Sequence, residues 1–189
     1  MNNFNHKKFF LTTLIGGLAV SALIGIVIFL IGDFGDIQVK ILVTTLAVGG
    51  FSLTGLCSST IVNRKSLEAL AVAGMLISGL AFLSIFVGIW EIIEFKDIWR
   101  GSVSLSILAV TIAHISLLLL VKPKSDLIKN FLFITILFIS AVAAMLIIPV
   151  IGDMEPEDFY FRLLGVFAII DVLGTITIPI LNTITTPEK

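Results

Sequence analysis

The sequence predicts an all-α, polytopic membrane protein: a six-transmembrane-helix bundle built from three tandem helical-hairpin repeats of about 61 residues. Three observations predict it. The 189 residues are 58% hydrophobic and 13% charged, which leaves too little polar surface to cover a soluble core. The apolar residues gather into six windows, each close to the ~20 residues a helix needs to cross ~30 Å of hydrocarbon. Finally, acids and bases collect at opposite ends of those windows.

The windows run Phe9–Ile31, Ile41–Cys57, Leu67–Trp90, Ile98–Val121, Leu127–Ile151 and Phe159–Leu181. The second is short and is expected to begin near Ile37. Helices are the default because an isolated strand leaves its backbone unsatisfied in lipid, and the alternation of a barrel strand is absent. The first window opens like a secretory signal, "KKFFLTTLIGGLAVSA", but its apolar run continues to Ile31. It reads as a retained helix, with cleavage after Ala22 as the alternative.

Charge sets the orientation. Lys7, Lys8, Arg64, Lys65, Lys122, Lys124, Lys129 and Lys189 fall on one side, with three acids, for a net of +5. The other side has four bases and nine acids, a net of −5. The positive-inside rule places the basic side and both termini in the cytoplasm. Trp90, Trp99 and Tyr160 mark the outer boundary, where amphipathic rings favour the headgroups. The expected location is a plasma (inner) membrane of bacterial type.

Three aspartates mark the repeat. Asp36, Asp97 and Asp158 are spaced 61 and 61 residues apart, and each opens a returning helix. There an acid faces the positive end of the helix dipole and is placed to cap free N–H groups. Lys40, Arg100 and Arg162 follow on the same helix face. "IGD" recurs at Ile31–Asp33 and Ile151–Asp153. The candidate repeats are residues 1–63, 64–123 and 124–189 of a single integral membrane domain.

Small residues four apart let helices approach closely. Gly17, Ser21 and Gly25 form such a set in the first window; Gly74 and Ser78, then Ser84 and Gly88, in the third; Ser102 and Ser106 in the fourth; Ser140 and Ala144 in the fifth. Pro149 and Pro179 lie near window ends, where a missing N–H costs least.

Asp171 stands at the centre of the sixth window. A charged aspartate there costs ~2.5–3.5 kcal/mol on insertion scales, so it should face protein or a water-filled cavity. Its neighbours on the helix face are Phe167, Ala168, Gly174 and Thr175. His114 and Thr175 are related by the 61-residue repeat, which puts His114 and Asp171 on equivalent faces about one turn apart in depth. A pseudo-three-fold arrangement would bring them together, with Gly49 and Gly50 leaving room on the second helix. The expectation is a buried Asp171–His114 pair accompanied by Thr111 and Thr175. The plainer alternative is that the pair only fixes helix register.

Composition narrows the function classes. Net charge −1 gives no basic character, so nucleic acid is not an expected partner. The lone Cys57 rules out an intrachain disulfide and a cysteine-based zinc cluster. The acidic loop "GDMEPEDFYFR" has no fixed ligand spacing and reads as solvated. No metalloprotease helix, nucleophile elbow or phosphate loop is present, so no catalytic residue, cofactor or metal is expected. A non-catalytic scaffold or accessory subunit ranks first. A transporter, channel or proton-coupled component using Asp171 and His114 ranks second, and a membrane enzyme third. The expected partners are the lipid bilayer and other membrane subunits or further copies of the chain.

Overall fold

The computed structural model describes residues 6–31, 35–92 and 98–185. The described residues are mostly helical, with short turns between the helices and no strand among them. The helices are α1 (His6–Ile31), α2 (Asp36–Ser59), α3 (Glu68–Ile89), α4 (Ile98–Leu118), α5 (Asp126–Gly152) and α6 (Asp158–Ile184). Five of them, α2 to α6, are long and apolar enough to cross a membrane. In α1 the apolar stretch so described is the shorter Leu11–Val27.

Local chemistry explains where the helices stop. Ser125 is extended and its Oγ accepts from the Ile128 N–H, so α5 starts at Asp126. The aspartates expected to cap α2 and α6 do not. The N-caps are Gly35 and Glu157, neither makes a side-chain cap bond, and Asp36 and Asp158 are the first helical residues. From there they act on the dipole, through charge alone. Asp97 lies outside the described residues.

At the far ends of α3 and α5 the chain turns through left-handed residues, Glu91 (φ 50°) and Asp153 (φ 51°). Both are ion-paired, Glu91 to Lys40 at 3.0 Å and Asp153 to Arg100. Each base thus reaches across to the end of another helix.

Helices pack in chain order, α1 on α2, α2 on α3, α3 on α4, α4 on α5 and α5 on α6, with α2 also against α4. The contacts therefore form a file with a three-helix centre of α2, α3 and α4, and not a ring about a three-fold axis. Small residues dominate that centre: Ser52, Gly55 and Ser58 on α2, Gly74 and Ser78 on α3, Ser102 on α4. They permit the close approach on which packing in lipid depends. Their hydroxyls return to the preceding turn, as Ser58 to Thr54 O and Ser78 to Gly74 O. Thr54 Oγ1 also donates to Ser78 Oγ at 2.9 Å, joining α2 to α3. A larger apolar cluster, Leu118, Ile128, Leu132, Ile139 and Ile178, joins α4, α5 and α6 toward the other end.

The glycines divide sharply. A methyl on Gly17 would meet Val48 at 3.2 Å and the Gly49 backbone at 3.4 Å, so α1 and α2 touch there. On Gly74 it would meet Ser58 Oγ at 2.5 Å and Ile112 Cγ2 at 2.7 Å. On Gly25, Gly50 or Gly88 it would meet nothing. Those three are not packing positions within the chain, and neither are Ser140 and Ala144, which face outward. The side chain of Ser21 lies outside what is described.

Candidate functional site

The polar site is assembled by the rotation of α6. Asp171 and Ile178 are its buried residues, seven positions apart and so on one face. Gly174 sets that rotation, because its bare Cα rests directly on Thr135 of α5. Phe167 meets Phe138 of α5 edge-on at 5.3 Å, one turn away. Asp171 is left 8% exposed, turned inward beside α4.

His114 comes from α4. Its Nε2 lies 2.9 Å from Thr175 Oγ1, and that hydroxyl donates to Asp171 Oδ1 at 3.2 Å. The direct separation of His114 Nε2 and Asp171 Oδ1 is 3.9 Å, too long for a hydrogen bond. Thr175 is therefore the bridge. A hydroxyl has one proton, and it goes to the carboxylate, so the hydroxyl oxygen accepts from His114 Nε2–H.

Thr111 does not join this chain. It lies one turn before His114 and donates to Ile107 O at 2.7 Å. It lines an adjoining cleft of about 370 Å3, together with Ser106, Ile107, Val110 and His114 of α4, Ile139, Val142, Ala143 and Leu146 of α5, and Asp171. Gly49 and Gly50 do not line it: Gly49 faces Gly17 of α1. The room was expected on the second helix, but in a file of helices it opens between α4 and α5. The α5 wall carries no sequence signal, since its residues look like any lipid-facing run.

Sequence reasoning also missed the polar clasps at the basic ends. The Arg64 guanidinium donates to Leu119 O at 2.5 Å and Leu120 O at 3.0 Å, satisfying carbonyls just past α4. The Lys124 N–H donates to Asn182 Oδ1 and its Nζ to Thr185 O, tying the α4–α5 connection to the end of α6. At the opposite end Trp90 Nε1 donates to Thr44 Oγ1, and Tyr160 to Met145 O.

No family model, curated protein or solved structure matches the chain. The functional reading therefore rests on geometry alone.

Proposed function

We propose that the chain is a non-catalytic scaffold or accessory subunit of a membrane assembly, crossing the plasma (inner) membrane of a bacterium six times with both termini in the cytoplasm. One observation carries this reading: a few polar side chains at separate levels of the bundle tie one helix to another. Thr54 and Ser78 join α2 to α3. The His114–Thr175–Asp171 chain joins α4 to α6, and Arg64 and Lys124 close the basic ends. In this role the buried chain fixes the register of α4 against α6.

Triplication of a hairpin over residues 1–63, 64–123 and 124–189 belongs to the same proposal. Glu91 and Asp153, at 153 − 91 = 62 residues, fall within one residue of that period and support it. Each is left-handed, each lies within two residues of a helix end, and each takes a base from near the start of an earlier helix. His114 and Thr175, which touch, are also one repeat apart.

A second reading, a proton- or cation-coupled component, is favoured by the cleft beside Asp171. Asp171→Asn separates the two, because asparagine keeps the Thr175 hydrogen bond but not the charge. A subunit should still copurify with its partners from native membrane and support the host phenotype. A coupled protein should fold normally and lose activity. Epitope tags at the two termini should be reachable only after the cells are opened; tags accessible on intact cells would refute the orientation.

A further inference from the structure

We propose that the cleft between α4 and α5 is a binding site for a lipophilic amine that enters sideways from the bilayer. The inference does not depend on whether the chain is a scaffold or a coupled component, since either could hold such a ligand. Three features specify the chemistry.

The first is the free acceptor. Asp171 Oδ1 takes the Thr175 hydroxyl, whereas Oδ2 has no hydrogen-bond partner among the described residues. Asp171 is 92% buried but borders the cleft, so a group seated there meets a carboxylate oxygen with unused lone pairs. An ionised carboxylate only accepts, so the matching group donates. No Lys or Arg lines the cleft; His114, its Nε2 3.9 Å from Asp171 Oδ1 and turned to Thr175, is the one base there, which leaves Oδ2 to a cationic donor on the ligand.

The second is the wall. Ile107, Val110, Ile139, Val142, Ala143 and Leu146 are apolar. The two hydroxyls beside them are already turned to their own helix, Ser106 to Ser102 O and Thr111 to Ile107 O. The body of the ligand is therefore hydrocarbon, with its single polar end at Asp171. A volume of about 370 Å3 falls at the small end of natural ligand sites.

The third is the entrance. Val110 is 57% and Leu146 39% exposed; Val110 stands on the rim near the middle of α4, and Leu146 in the C-terminal third of α5. At the depth of Val110 the surroundings are acyl chains, which admit an amphiphile more readily than a hydrated solute. His114 lies at the end of the cleft nearer the α4 C-terminus and holds Asp171 in place through Thr175.

The test uses the full-length protein in detergent and decylamine as the probe, with decanol and decanoate as neutral and anionic controls, and reads binding by native mass spectrometry. One decylamine should bind, more tightly than decanol, and decanoate should not compete. Asp171→Asn should weaken the amine about thirtyfold or more, the usual result of removing one partner of a buried charged pair. Val110→Trp, on the exposed rim, should close the entrance and weaken binding without touching the carboxylate. Leu83→Trp, at a separate apolar cleft among α1, α2 and α3, should leave binding unchanged. Equal binding of amine, alcohol and acid overturns the assignment. So does an affinity that neither Asp171→Asn nor Val110→Trp alters. If Asp171→Asn does not fold, Val110→Trp and the headgroup series decide the matter.

Discussion

Gly74 is the position where the packing argument is most exposed to test. It is buried within α3, and a Cβ there would sit 2.5 Å from Ser58 Oγ, 2.8 Å from Ser58 Cβ and 2.7 Å from Ile112 Cγ2. Gly79, five residues further along the same helix, would place a Cβ in open space. Replacing either by alanine gains the same helix propensity, up to about 1 kcal/mol in water. That term cancels in the comparison, and what remains is steric. Overfilling a packed interior costs about 1–3 kcal/mol, so Gly74→Ala should be less stable than Gly79→Ala by that amount. Reversible unfolding in mixed micelles of dodecyl maltoside and SDS, followed by circular dichroism, measures the difference. Two of the three blocking atoms belong to Ser58, so Ser58→Gly should restore part of it. The coupling in that double-mutant cycle should exceed about 0.5 kcal/mol. Equal stability of the two alanine variants would show that α2, α3 and α4 are not in the close contact described.

Three further outcomes follow from named contacts. Arg64→Ala removes two charge-assisted bonds to Leu119 O and Leu120 O and should destabilise by about 1.5–3 kcal/mol, with Arg64→Lys recovering only part, in the same unfolding assay. Glu91→Gly loses an exposed ion pair of about 0–1 kcal/mol but relieves a left-handed backbone that costs about 1–2 kcal/mol, so the melting temperature should hold or rise. Thr175→Val takes the bridge out of the His114–Asp171 chain and should cost about 1–3 kcal/mol, whereas Thr175→Ser should be near neutral; a harmless valine would dismiss the bridge.

Much of the architecture was legible in the sequence because lipid imposes a length and an apolar composition on each helix. The window Leu127–Ile151 lies within α5, Asp126–Gly152, and Phe159–Leu181 lies within α6, Asp158–Ile184. Cap identity was less legible. Asp36 and Asp158 stand where a capping acid was expected, but the turn conformation before them decides the cap and makes Gly35 and Glu157 the N-caps. Small-residue spacing finds a stripe without telling which side has a neighbour. Gly17 and Gly74 meet another helix, while Gly25 and Gly50, equally small, meet none. The polar chain was approached through charge economy: Asp171 needed a donor, and His114 and Thr175 lay on the matching faces. The sequence did not disclose that Thr175 would stand between the other two. Nor did it show that α5 would wall the cleft with Val142 and Ala143, because an apolar side chain looks the same facing lipid or protein.

The order of packing has a consequence for biogenesis. Apart from the α2–α4 contact, each main interface joins a helix to the one synthesised just before it. As the nascent polypeptide leaves the ribosome, every new segment finds its docking surface already inserted, and no early helix has to wait for a distant partner. The bonds to the second half of α6 are the exception: Thr175, which meets His114, and Asn182 and Thr185, which meet Lys124, emerge 58 to 61 residues after their partners, so those bonds can close only as synthesis ends.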